Sequence, residues 1–425
     1  MSLTSKNFYV YTAKGGNMHK KKLTIRQSII WNTWGSVVYL GVQWLQTIFV
    51  ARLLGFEEAG LFSLAMSVTN IFYAFANYGM KNFQISDVDW KYSATDYVSS
   101  RLATSAIALV SCVVFALSNQ YDIEQIICIT IYMVFKISEA IFDVLSGFYQ
   151  KQWRMDYLGK SMMMRAVLML VIFPSVIWVT RSLLWAIIAM TVVVFGVILL
   201  YDMRITLQIE SIKFCFTSLR IKPLLLECLP LAVCSILSTS VGSIPRYFLE
   251  MYEGNEKLGI YASVAMPTLI VQMASTYIFN PMVTVFSESF NQKAKEQFLK
   301  TLRQCIMAIV AIAIVALVGG KIFGRFGLRL LYGDSILMYE YLLIPLIVCT
   351  ITTACVWLFT GVLTVTRNFK ALLLGNGCSV VFCIVLSILL IPIWDMQGAT
   401  VALLLGNIIG IIVFIYYLIH DIKKI

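Results

Sequence analysis

Charge is what this sequence has least of: Asp, Glu, Lys and Arg make up 13% of its 425 residues, about half the share of a soluble globular protein. With 60% apolar residues and a mean hydropathy of +0.83, the chain cannot clothe a water-facing surface. A cytosolic enzyme, a disordered chain and a secreted disulfide scaffold are thereby excluded. Histidine is nearly absent, with only His19 and His420, which excludes a His-based zinc site, a catalytic triad and a histidine relay. No G-x-x-x-x-G-K-[ST] phosphate loop is present, and no polar stretch is long enough to hold a nucleotide-binding domain, so an ATP-driven pump is excluded. The ten cysteines form no C-x-x-C pair; they read as small buried hydrophobes in reduced surroundings. No metal or cofactor is expected.

Long apolar runs are abundant. A helix needs ~20 residues to cross a hydrocarbon layer of ~30 Å, and twelve such runs can be traced, from Ser28–Val50 to Ala399–His420. They predict an all-α membrane protein. A basic tail at 1–27 leads into six spans over 28–202, a connector at 203–220, six more spans over 221–420 and a short tail at 421–425. Only Thr180 and Arg181 separate the fifth and sixth runs, which form a tight hairpin or one long bent helix. Residues 321–335, with Lys321, Arg325 and Arg329 among Phe and Leu, read as an amphipathic helix lying in the membrane interface.

An even number of spans puts both termini on one side. Of the 33 Lys and Arg, Lys136 falls inside a span and seven (Arg52, Arg181, Arg246, Lys257, Lys321, Arg325 and Arg329) fall on the far side, leaving 25 with the termini. The positive-inside rule makes that side cytoplasmic. The net charge of +11 is therefore topological, and no nucleic acid is expected as a partner. Lys20–Lys22, beside the first span, serves orientation rather than a lipid or nucleic-acid patch. Residues 1–27 do not read as a signal peptide, and Met18 is an alternative start.

The two halves share a segment. Gly55-Phe56-Glu57-Glu58-Ala59-Gly60-Leu61-Phe62 and Gly254-Asn255-Glu256-Lys257-Leu258-Gly259-Ile260-Tyr261 are both G-x-E-x-x-G-[LI]-[FY], 199 residues apart, each at the first outer turn of a six-span half. Each glycine can take a positive φ or let helices close tightly. A weaker echo joins Gly147–Arg154 to Gly361–Arg367. Six is an even number, so the repeat is parallel. Two like-oriented lobes then enclose a central cavity, and one can rock against the other.

Further marks are Ala51-Arg52-Leu53-Leu54-Gly55 with Glu57 and Gly60, Asn77-Tyr78-Gly79-Met80 closing the second span, and Gly147 with Arg154-Met155-Asp156, Ser161 and Arg165. Ile391-Pro392-Ile393-Trp394 with Gly398-Ala399-Thr400 opens the twelfth span. In this order on twelve helices they resemble the polysaccharide (O-antigen type) flippases of the multidrug/oligosaccharidyl-lipid/polysaccharide exporter superfamily. Twelve spans fit that type better than the fourteen-span peptidoglycan-precursor flippases. The resemblance implies a MATE-like fold in a bacterial inner membrane. It also implies alternating-access movement of a polyprenyl-pyrophosphate-linked oligosaccharide, an O-antigen, capsule or exopolysaccharide repeat unit, from the inner to the outer leaflet. Membrane lipid, a coupling proton or sodium ion, and other glycan-assembly membrane proteins are the remaining candidate partners.

Several residues could line such a cavity. Lys136, Glu139 and Asp143 share one face of the fourth span, and charges at that depth must face protein or water. Lys136 could meet an anionic head group while Glu139 or Asp143 couples an ion, or Lys136 and Glu139 could form a packing pair. Arg52 and Arg246 could make an outer cationic rim, and Arg101 and Arg165 could be first contacts for pyrophosphate, with snorkelling to lipid head groups as the plain alternative. Gln43, Asn70, Asn77, Gln272 and Asn280 could hydrogen-bond sugar or neighbouring helices. An ion-coupled multidrug or cation antiporter of the same superfamily is the second candidate function. It would want little cationic lining. A glycan polymerase or ligase would be expected to carry a substantial catalytic outer loop, which is missing, so the chain is not read as an enzyme.

Overall fold

A computed structural model describes residues 24–87, 91–119, 121–152, 154–210, 212 and 220–423. The expected basic tail up to residue 23, with Met18 and Lys20–Lys22, most of the connector beyond 210 with Cys215, and the side chain of Asn280 lie outside the described residues.

The first half comprises α1 (Ile25–Leu53), α2 (Phe56–Asn77), the short α3 (Met80–Ser86), α4 (Ala94–Ser118), α5 (Ile123–Lys151), α6 (Met155–Thr180) and α7 (Leu183–Val197). One π turn, Ile198–Asp202, carries α7 on into α8 (Met203–Ile209). The second half comprises α9 (Ile221–Ala265), α10 (Leu269–Asn291), α11 (Lys295–Tyr332), α12 (Leu343–Val365) and α13 (Phe369–Ile422). No strand occurs among the described residues. Side chains set several helix ends. Thr24 starts α1 by accepting from the Gln27 backbone N–H at 3.3 Å, while the Gln27 side chain accepts from Thr24 N–H at 3.1 Å, a reciprocal cap. Ser93 and Asp96 do the same for α4.

Ten described helical stretches are long and apolar enough to cross a membrane. Two of them, Ile221–Gln272 and Phe369–Ile422, have 52 and 54 residues, ~80 Å if straight and far beyond one crossing. Each breaks once, at Gly254 (φ 82°, ψ 177°) and at Asp395 (φ 53°, ψ −131°). Taking each break as a turn gives twelve crossings in two halves of six. α6 ends at Thr180, and Arg181, in the left-handed region at φ 51°, turns the chain straight into α7; the tight hairpin is the outcome. Residues 321–332 depart from expectation. They continue α11, which runs unbroken for 38 residues, instead of forming a separate interfacial helix. Gly320 and Gly324 let Ile347 and Leu343 pack against the α11 backbone, so the helix keeps a neighbour along that stretch.

Two apolar clusters hold the bundle together. The larger fills the first half and crosses into the second through Leu249, Leu258, Ile260, Tyr261, Leu328, Ile391 and Met396. These crossing residues sit near helix ends on the side away from the chain termini. The smaller cluster, around Phe286, Phe298, Phe359 and Phe414, stays within the second half. The halves are thus fused at the far side. On the terminal side, contact narrows to the first turns of α9, where Leu224 and Cys228 lean on the first half. Outward-facing Trp178, Val179, Val315 and Ile393 are more than two-thirds exposed, a surface suited to lipid rather than water.

Candidate substrate cavity

α2 stops at Asn77 because Tyr78 and Gly79 both take left-handed backbone, φ 52° and 61°. That turn swings α3 aside. Glycine is needed there, since a Cβ on Gly79 would lie 2.8 Å from Leu231 Cβ on α9. Beside the turn lies a cavity of about 250 Å³ between the halves, lined by Tyr73, Asn77, Lys81, Asn82 and Asp143 from the first half and Ser235 and Thr239 from α9. Asn70 lies on the same face of α2 as Tyr73 and Asn77, one turn deeper, and is half-buried.

Two ionic clusters adjoin this cavity. Asp143 stands at its wall, with Arg101 Nη2 at 2.9 Å and Lys81 Nζ at 3.4 Å. Arg101 is fully buried and also donates to the Ala76 carbonyl and the Asn77 side chain at 2.9 and 2.8 Å. It therefore caps the end of α2 and ties it to α5, deep in the protein rather than at a membrane surface. One turn earlier in α5, Lys136 and Glu139 pair at 2.8 Å, both more than nine-tenths buried. The Tyr39 hydroxyl (2.5 Å) and Gln43 Nε2 (3.1 Å) donate to the same carboxylate. Tyr73 is the shared wall: it lines the cavity, and the Lys136 ammonium sits 5.1 Å from its ring centre.

Arg165 is 1% exposed, its guanidinium 3.6 Å from the Phe142 ring centre and 5.0 Å from that of Tyr39. Its Nε and Nη2 have no hydrogen-bond partner among the described residues. Asp202, held by Ser161 at 2.7 Å, is the nearby acid. Arg246 is half-buried near Tyr261 on the second half and has no ion-pair partner among the described residues. Arg52 is exposed at the far side, donating to the carbonyls of Leu331 and Leu330 at 2.7 and 2.5 Å. Gln272 sits half-buried on α10. Of the residues singled out in the sequence, Asn77 and Asp143 line the cavity, Arg101 holds both from behind, and Gln43, Lys136 and Glu139 lie behind Tyr73, while Arg165, Arg52 and Arg246 are not among the lining residues. Sequence inspection misses Lys81, Asn82 and Tyr73. The signal for Lys81 is the Tyr78-Gly79 turn that precedes it. The charged side chains at the cavity wall are Lys81 and Asp143, and Arg101 pairs with Asp143 from behind, two cations to one carboxylate.

Residues 25–290, well over half of the chain, match the family described as "Polysaccharide biosynthesis protein". The chain belongs to this family. Its curated relative, the capsular polysaccharide biosynthesis protein CapF of Staphylococcus aureus, is 23% identical over 388 residues, covering 88% of this chain and 94% of CapF. Among solved structures, the lipid II flippase MurJ in an inward closed conformation superposes with a TM-score of 0.73 at 12% identity, covering 93% of this chain and 89% of MurJ. An inward-facing MATE multidrug resistance transporter superposes at 0.66 and 14% identity, covering 93% and 99%. At those identities the likeness is one of fold. This polysaccharide biosynthesis protein therefore has the fold that the MATE transporter and MurJ adopt.

Proposed function

We propose that this protein flips a polyprenyl-pyrophosphate-linked oligosaccharide from the cytoplasmic to the outer leaflet, one half rocking against the other. The terminal side would be cytoplasmic, as the asymmetry of Lys and Arg indicates. A diphosphate-sugar head cannot cross hydrocarbon unaided, because each unsatisfied polar group costs several kcal/mol there. The cavity offers amide and hydroxyl groups suited to sugar (Asn77, Asn82, Ser235, Thr239) and a surplus of positive charge suited to the diphosphate, while the polyprenyl tail would stay in lipid.

One observation carries this assignment: Lys81 and Arg101 share Asp143 at the cavity wall. The Lys81 contact is the longer of the two, so Lys81 can turn to a phosphate while Arg101 keeps Asp143 neutralised. Asp143, rather than the thrice-bonded Glu139, is the carboxylate that a cavity proton or sodium ion would reach. In a flippase-deficient bacterium complemented with this protein, Lys81→Ala is expected to lower surface glycan at least roughly tenfold at unchanged membrane protein level, the loss of one charge-assisted contact. Normal glycan with both Lys81→Ala and Lys81→Glu would overturn the assignment.

A further inference from the structure

The two copies of the repeated segment meet each other. Phe56 and Asn255 are equivalent positions of the repeat, as are Gly60 and Gly259. A Cβ on Gly60 would lie 1.7 Å from the backbone oxygen of Asn255, and a Cβ on Gly259 would lie 1.8 Å from that of Phe56. Each glycine therefore presses bare backbone against the other half's first turn, in a reciprocal pair. No L side chain fits at either place, and the obstacle is backbone that cannot swing aside. The first glycines of the two copies have a separate duty: Gly55 and Gly254 take φ 102° and 82°, which starts the helix that the second glycine packs.

Other contacts between the halves cluster at the same end. Gln125 Nε2 donates to Glu250 at 2.8 Å, the Tyr247 hydroxyl donates to Asn119 at 2.7 Å, and the Arg52 guanidinium caps the last turn of α11, where unpaired carbonyls favour a cation. These polar ties are few and stand in front of the apolar packing that joins the halves. The glycine contact itself interlocks no side chains, so opening there has only the apolar packing behind it to part.

From this geometry we infer that the repeated segment is the far-side gate: Gly60 and Gly259 let the halves close to backbone contact, Arg52 latches the closure, and the contact parts to release cargo. The inference rests on the rocking of the two halves and not on what the cargo is. Its test needs no cargo. Spin labels at Glu57→Cys and Glu256→Cys, both exposed equivalent positions, in a background with the native cysteines replaced, report the far-side separation by pulsed electron resonance. The parent should show mainly the short distance. Gly60→Ala and Gly259→Ala should each raise the ratio of long to short distances at least roughly tenfold, the usual consequence of overpacking a tight contact. Arg52→Gln, which adds no bulk, should raise it roughly threefold. Gly242→Ala, with open space around its Cβ, should leave it unchanged. Folded glycine variants whose distances match Gly242→Ala would overturn the gate. If neither glycine variant folds, an unchanged distribution in Arg52→Gln overturns it. A failure of the oligosaccharide assignment would leave these distances as they are.

Discussion

The far and terminal ends of the interface between the halves are built from different materials. The far end closes on backbone, glycine against the opposite chain, with apolar packing continuous behind it. The terminal end closes on charge: Lys91 pairs with Glu227, and the Tyr92 hydroxyl donates to the same carboxylate at 3.0 Å. The ion-pairing side chains there are 59% and 36% exposed, and such pairs contribute ~0–1 kcal/mol. Shape therefore holds one end, while the other has the small apolar contact of Leu224 and Cys228 and a water-exchangeable ion pair, with the cavity next to it. Under the proposed function, a head group arriving from the terminal side would have little to displace, and its exit would wait until the backbone contact opens.

The largest expected effect tests whether the cavity wall is stiff independently of either end. Arg101→Ala would leave Asp143 without its closest cation and the α2 terminus uncapped. Removing one partner of a buried pair costs about 3–5 kcal/mol, read as lower thermal stability in detergent. A fall no greater than that of a surface substitution would mean that the wall is held by something else. Next comes the Lys136–Glu139 pair. Lys136→Met alone should cost about 3 kcal/mol, while adding Glu139→Gln should recover much of it, because the buried carboxylate is no longer left unpaired. Since Tyr73 stands between Lys136 and the cavity, the double variant is expected to keep most of its glycan export. Abolished export at full stability would bring Lys136 into contact with cargo.

Much of the fold is legible in the sequence because the membrane makes it so. Every crossing needs a long apolar run, and charged or glycine-containing turns separate the runs even where helices nearly merge, at Gly254 and Asp395. The site is legible only where its chemistry is local. Lys136 and Glu139 are three residues apart on one helix, so their pairing shows in the spacing. The partners of Asp143 come from α4 and α3, and no spacing rule joins Arg101 to a residue 42 positions away. Lys81 reads as an ordinary loop cation, since only the left-handed Tyr78-Gly79 turn brings it back over the cavity. The end of α11 is misread for the opposite reason: its charges look interfacial, but Gly320 and Gly324 give it a helix to lie against.

The smallest effects should appear at the terminal end. Glu227→Gln is expected to cost under about 1 kcal/mol while widening the separation between spin labels at Asn82 and Lys222. Acid should act on the same contact from the other side. The Asp87 carboxylate holds Lys91 and Tyr92 in place, accepting from both their backbone N–H groups (2.9 and 3.2 Å) and from the Tyr97 hydroxyl (2.8 Å). Burial pushes this carboxyl up, but the hydrogen bonds from Lys91, Tyr97 and Tyr92 outweigh it and hold the group below its usual range. A carboxyl lowered on folding lends its full stability above the ordinary value of ~3.9 and loses it as pH falls through the lowered value. The terminal labels should therefore hold their distance at pH 5 and separate only below about pH 4. The far-side labels, whose closest contacts are backbone, should stay together. Asp87→Asn should show the widened terminal distance at every pH. Widening already at pH 6 in the parent, or none in Asp87→Asn, would mean that the terminal end is held by more than the contacts of Asp87.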